Sequence, residues 1–91
     1  MVYINLRVNV ADYDTWRKGF DANESNRKSA GSTGVNQFYR DVDNPNNVTL
    51  ILEWDAADKA QAFLNDPNTK ASMDAAGVTG RPMVVAVQIK A

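Results

Sequence analysis

Val2-Tyr3-Ile4-Asn5-Leu6-Arg7-Val8-Asn9-Val10 alternates without a break between aliphatic and polar side chains. Successive residues of a strand point to opposite faces, so this stretch is a strand with two different faces. The aliphatic face belongs on a core. The other carries two amides, a guanidinium and a phenol, which can hydrogen-bond to a ligand or to another polar surface. Ala11-Asp12-Tyr13-Asp14-Thr15-Trp16 follows at once and reads as a helix start with Asp12 as its N-cap.

Tyr13, Trp16 and Phe20 then recur at helical spacing. Beyond Phe20 the stripe turns polar, with Asn23, Asn26 and Arg27 where apolar residues are expected. Gly31 and Gly34 bracket the exit from this helix. Val35 to Val42 is a second strand, whose face assignment Phe38 and Tyr39 leave open. Asp43-Asn44-Pro45-Asn46-Asn47 closes a hairpin onto Val48 to Trp54. In that third strand Val48, Leu50, Leu52 and Trp54 share one face, opposite Thr49, Ile51 and Glu53. Asp55 is expected to cap a helix carrying Ala60, Phe63 and Leu64. Asp66-Pro67 restarts helix as N-cap and first helical residue, and Gly77 stops it. Met83 to Ile89 is the last strand.

The order β-α-β-β-α-β is the ferredoxin-like α+β arrangement, in one domain spanning residues 1–91. Right-handed crossovers put the first and third strands side by side in the centre, with the helices on one face. Their aliphatic faces then lie under the helices. Tyr3, Asn5, Arg7, Asn9, Thr49, Ile51 and Glu53 lie together on the uncovered face.

Composition removes several function classes. A formal charge of −1 argues against a nucleic-acid or anionic-membrane surface. An RNA-binding version of this topology needs exposed aromatics on the third strand, which offers Thr49, Ile51 and Glu53 instead. The loop Val10-Ala11-Asp12 has neither the glycine nor the basic residue of a phosphate cradle. With no cysteine and no histidine, thiolate chemistry, cysteine zinc sites and imidazole acid-base catalysis are absent. Nothing points to a metal or other cofactor, and haem ligation would fall to tyrosine or methionine. No stretch approaches the roughly 20 apolar residues of a membrane span. The first residues lack a charged and apolar leader pattern, so a cytoplasmic protein is expected.

Five local words stand in order along almost the whole chain: Val10-Ala11-Asp12-Tyr13-Asp14-Thr15-Trp16, Arg27-Lys28-Ser29-Ala30-Gly31, Asp43-Asn44-Pro45-Asn46-Asn47-Val48, Leu52-Glu53-Trp54-Asp55 and Ala76-Gly77-Val78. Together they resemble a family of small bacterial proteins, often labelled cyclases, in the dimeric α/β-barrel superfamily that contains the antibiotic-biosynthesis monooxygenases. The resemblance implies a homodimer paired open face to open face. It also implies a cavity for a small organic ligand between the open sheet face and nearby helix residues. Superfamily enzymes include cofactor-independent oxygenases acting on phenolic or polyketide compounds, haem-degrading enzymes and lactone isomerases. Such sequences carry a histidine near the position of Asn23, which this chain lacks, so no histidine chemistry carries over.

A cofactor-independent monooxygenase, cyclase or isomerase acting on an enolisable or phenolic compound needs a base, an anion stabiliser and a dry cavity. By residue type and face, Glu53 is the candidate base, Arg7 and Asn5 the anion stabilisers, and Tyr3 or Tyr39 a proton relay. Asn9, Asn23, Arg27 and Thr49 complete the candidate ligand-binding set. Each has a simpler reading. Arg7 and Glu53 can pair with each other and set the register of a dimer. Asn5 and Asn9 can hold trapped water. Tyr3 can anchor an interface with its hydroxyl at the rim. Asn23 and Arg27 can be a solvated last turn, unless the helix end overhangs a cavity mouth. Trp16, Phe20, Trp54 and Phe63 read as core. The alternative to an enzyme is a non-catalytic ligand-binding or accessory dimer.

Overall fold

The computed structural model describes residues 1–91, the side chain of Arg81 excepted. The elements run β1 (Val2–Val10), α1 (Tyr13–Ala22), α2 (Glu24–Ala30), β2 (Ser32–Arg40), β3 (Asn47–Trp54), α3 (Ala57–Asn65), α4 (Pro67–Ala75) and β4 (Val78–Ile89). The four strands form an antiparallel sheet in the order β2-β3-β1-β4, so β1 and β3 are central as expected. This is the ferredoxin-like α+β fold.

The alternation in β1 and β3 sets their register. Val2, Ile4, Leu6 and Val8 stand opposite Trp54, Leu52, Leu50 and Val48, and all eight are buried. Each such pair removes two side chains from water together, so a slip of one residue would expose the whole set. Trp16 and Ala60 close the core from the helix side. Phe20 and Phe63 are half-buried against it, so the four aromatic residues expected in the core all pack there.

Strand β2 ends at Arg40 and β3 begins at Asn47, within two residues of expectation, and four larger differences from the sequence reading have a local reason. The first helix divides at Asn23, and α2 resumes at Glu24. Strand β2 begins at Ser32 rather than Val35, because a register shift between Ser32 and Asn36 absorbs Gly34 at φ +85° inside the strand. Strand β4 begins at Val78 rather than Met83 and runs through Gly80 and Pro82. It is an edge strand with its own register shifts, which is where a proline is tolerated. Asp55 is not the cap of α3. That position falls to Ala56, which makes no side-chain cap bond, while the Asp55 carboxylate accepts from Lys59 Nζ at 3.2 Å. Asp12 and Asp66 do cap their helices, accepting from the backbone N–H of Thr15 at 3.0 Å and of Asn68 at 2.9 Å.

The face of β2 is settled by Phe38. Its ring meets Phe20 edge-on at 5.2 Å and Trp16 at 6.1 Å, so Phe38 lies under the helices. Tyr39, opposite Thr49, is therefore on the uncovered face with Gln37 and Val35. No helix among the described residues is long and apolar enough to cross a membrane.

Candidate functional site

A cavity of about 420 Å³ lies between the helices and the covered face of the sheet. Its floor is Leu6, Val8, Leu50 and Leu52, the same side chains that make the centre of the core. Trp16, Phe20 and Phe63 wall it. Around it stand the polar residues Asn23 and Asn26 from the α1–α2 junction and Asn68, Thr69 and Ser72 from α4. An apolar interior with few polar groups at its edge is the usual build of a small-molecule site, and the volume falls within the usual range.

Arg27 is the one charged side chain of the lining that is buried, at 6 % exposure. The break at Asn23 explains how it gets there. The backbone N–H of Asn23 turns back to Phe20 O at 3.2 Å, its Nδ2 donates to Gly19 O at 3.2 Å, and α2 starts afresh at Glu24. One turn into α2, Arg27 lies with its Cζ 3.5 Å from the centroid of the Phe20 ring and donates from Nη1 to Phe20 O at 2.6 Å. Phe20 is itself fixed by Trp16 and by Phe38, on which the Arg17 guanidinium stacks at 3.7 Å. The buried Nε of Arg27 has no hydrogen-bond acceptor among the described residues. Burial pulls the guanidinium below its ordinary pKa, and the charges of Glu24 and Asp21 offset this only in part. Arginine remains a cation under such conditions. A desolvated cation with an unused donor is an electrostatic demand that the protein does not meet internally.

The other predicted site residues are on the opposite face of the sheet. Arg7 does not pair with Glu53, as one reading of the sequence had it. Its Nη2 meets Asp41 at 2.9 Å and its Nη1 donates to Thr49 Oγ1 at 2.7 Å. Asp41 follows β2 and reaches Arg7 across β3, a contact that β1 and β3 alone could not reveal. Glu53 accepts from Thr33 Oγ1 at 2.9 Å. Tyr3 stands directly across from Glu53, and reduced solvation, then the carboxylate's charge, raise its phenol above the ordinary pKa. Tyr39 donates to Gln37 Oε1 at 3.2 Å, and Asn5 pairs with Gln88. Asn9 is exposed opposite Asn47. Tyr3, Asn5, Gln37 and Ile51 line an open hollow on this face.

The structure thus brings Asn23 and Arg27 to the cavity under the helices and keeps Tyr3, Asn5, Arg7, Asn9, Tyr39, Thr49 and Glu53 away from it. Sequence reasoning missed the α4 contribution. The available signal was that Pro67–Ala75 has no apolar stripe: it buries no residue and sets Asn68, Thr69 and Ser72 at the edge of the cavity.

No protein-family profile and no curated protein matches this sequence. Solved structures do match in three dimensions. A candidate antibiotic biosynthesis monooxygenase from Bordetella bronchiseptica superposes with a TM-score of 0.76 at 14 % identity, covering 99 % of this chain and 96 % of that one. SnoaB, a cofactor-independent oxygenase from Streptomyces nogalater, gives 0.67 at 15 % identity over 98 % of this chain and 94 % of its own. Rv0793 from Mycobacterium tuberculosis gives 0.63 at 14 % identity over 99 % and 94 %. From end to end, the chain has the ferredoxin-like fold of the antibiotic biosynthesis monooxygenase structures.

Proposed function

We propose that this protein binds a small, largely apolar, enolisable or phenolic compound in the covered cavity, with the compound's oxyanion on Arg27. The observation that carries this reading is a buried guanidinium at the lining of a cavity walled by aromatic rings. A cation in a low-dielectric wall favours the ionised form of an enol or phenol by lowering its pKa. Asn23 and Asn26 stand beside it as amide donors, and the aliphatic floor holds the apolar body.

The reaction this arrangement best serves is oxygenation without a cofactor. An activated methylene loses a proton to give an enolate held by Arg27. Its carbon bonds to dioxygen, the O–O bond breaks, one oxygen stays as a carbonyl and the other leaves as water. The two methylene hydrogens end in that water, so one methylene and one dioxygen give one carbonyl and one water. Likeness of fold to SnoaB, described as a cofactor-independent oxygenase, adds weight to this choice.

The same proposal has two copies pairing through their open faces. Val35, Tyr39 and Met83 are exposed there, and Arg7 with Asp41 and Glu53 with Thr33 would become interface groups. Sedimentation of the purified protein tests the pairing, with Tyr39→Glu expected to shift a dimer to monomer.

One observation favours a second, non-catalytic reading. Asp66 is the lone carboxylate of the cavity lining, and it is exposed and caps α4, so among the described residues no buried carboxylate stands in the cavity as a base. Oxygen-electrode measurements with 1,8-dihydroxyanthrone and a chelator decide between the two. Uptake above autoxidation, lost in Arg27→Met, is the expected result for the oxygenase. Quenching of Trp16 fluorescence by the same compound without oxygen uptake would leave a binding protein. Neither quenching nor uptake would refute the cavity reading.

A further inference from the structure

The cavity opens to solvent where its lining is exposed. Asn26 and Ala30 of α2, with Asp66, Asn68 and Ser72 of α4 and its cap, are the exposed lining residues; every other is buried or half-buried. The mouth therefore lies between α2 and α4. Both banks are short helices that begin at a break in the chain and run into a glycine of positive φ. They are not held alike. Arg27 ties α2 down by its bond to Phe20 O at 2.6 Å and its stacking on the Phe20 ring. Gly31, at the end of α2, accepts from Asp55 N–H at 2.9 Å, and a Cβ there would stand 3.0 Å from the Trp54 and Lys59 side chains. By contrast α4 buries no residue, and a Cβ on Gly77 would meet nothing within 4 Å. Thr69, Met73 and Ala76 form its one half-buried seam, at the i, i+4, i+7 spacing of a single helix face. Thr69 Oγ1 donates to Phe63 O at 2.7 Å near one end of that seam. At the other end Ala76 packs on Gly19, where a Cβ would come within 2.9 Å. Asn68 and Ser72 make the next row, on the mouth side. A helix held along one line can roll about it with little change in buried area, whereas α2 cannot move without unstacking Arg27.

We propose that α4 is a lid. With a ligand in the cavity it rolls about the Thr69–Met73–Ala76 seam towards α2 and narrows the mouth. Asn68 and Ser72 then lie over the ligand, across from Asn23 and Asn26. This rests on the cavity reading above and adds how the site excludes water, which an enolate waiting for oxygen requires. The closing row is uncharged, so it covers the ligand without burying a further charge.

The chain has no cysteine, so introduced pairs carry spin labels at chosen positions only. Ser29→Cys on α2 with Ala71→Cys on α4 spans the mouth, at exposed positions outside the lining. Ser29→Cys with Gln61→Cys on α3 is the control, since α3 is fixed by the fully buried Ala60. Double electron–electron resonance is recorded with and without 1,8-dihydroxyanthraquinone, a phenolic probe that does not reduce the labels. The probe should shorten and narrow the distance across the mouth and leave the control distance unchanged. In unlabelled wild type, the probe should slow hydrogen exchange of the α4 amides more than that of α2. Asn68→Ala combined with Ser72→Ala should release the probe about tenfold faster, because contacts made on closing delay exit. An unchanged distance across the mouth, or unchanged α4 exchange, in protein whose tryptophan fluorescence the probe quenches would overturn the lid and leave the cavity reading intact. Equal shortening of the control pair, or unaltered release from the double variant, would also overturn it. Absence of quenching by this probe and by 1,8-dihydroxyanthrone under argon would refute the cavity reading, and the lid with it.

Discussion

Replacing Arg27 by methionine should stabilise the empty protein. The guanidinium gives up its bond to Phe20 O, a charged hydrogen bond of about 1.5–3 kcal/mol. It also gives up the contact with the Phe20 ring, about 1 kcal/mol. Phe20 O is not left orphaned, because Asn23 N–H still reaches it at 3.2 Å. On the other side, the variant no longer buries an unpartnered Nε, which costs about 1–3 kcal/mol. It also no longer holds a cation out of water with no carboxylate in direct contact, a further cost of several kcal/mol, on the order of 3, which Glu24 and Asp21 offset only in part. Methionine fills much of the same volume with a flexible apolar chain. The balance favours the variant by about 2 kcal/mol, and because each kcal/mol moves the melting temperature of a domain this size by about 4–8 °C, the melting temperature should rise by roughly 10 °C. Thermal unfolding followed by far-ultraviolet circular dichroism, with protein freed of small molecules by refolding, reads this directly. A fall of several degrees would refute the reasoning, because it would make Arg27 a structural residue whose bonds outweigh its burial. A gain in stability with loss of ligand is the pattern of a residue kept for function.

Leu52→Ala removes a side chain that is 2 % exposed and also floors the cavity, so urea unfolding should show a loss of about 2–5 kcal/mol. A Cβ on Gly19 would stand 2.9 Å from Ala76 Cβ, so Gly19→Ala should lower the melting temperature despite alanine's helix propensity. Adding Ala76→Gly should recover the loss, and stabilisation by Gly19→Ala alone would contradict the close approach of α1 to Ala76 at the end of α4. Asp12 is held below its ordinary pKa by the Thr15 N–H and then the Thr15 hydroxyl. Its folded pKa is depressed, so its contribution is present above the unfolded pKa of about 3.9 and lost as pH falls through the lower folded value. Asp12→Ala should therefore melt below wild type at neutral pH, with the gap narrowing at strongly acidic pH. A gap that stays constant or widens would refute the cap assignment.

The sheet was legible because its determinants are local. Val2 to Val10 and Val48 to Trp54 alternate so regularly that a single register buries both aliphatic sets, and chirality then places the helices. Asp12 and Asp66-Pro67 announced their helices for the same reason, since a cap acts within three residues. Asn23, Asn26 and Arg27 were visible as an interruption of an apolar stripe. Whether that interruption faces solvent or a cavity depends on the break at Asn23 and on where α3 and α4 pack, which no local spacing encodes.

Sequence alone determined the order of elements, the central pair β1 and β3, and the partition of their side chains into a buried and a polar face. Only the tertiary structure decided which polar residues meet. It gave Arg7 to Asp41 across β3, put Phe38 inside and Tyr39 outside, and opened the main cavity on the helix side rather than the open face. The physical reason is that backbone pairing and helix capping act between near neighbours or along a repeating pattern. A cavity is the space that several independently packed elements fail to fill. Arg27 ends up at its wall because the helices and the sheet together bury it there.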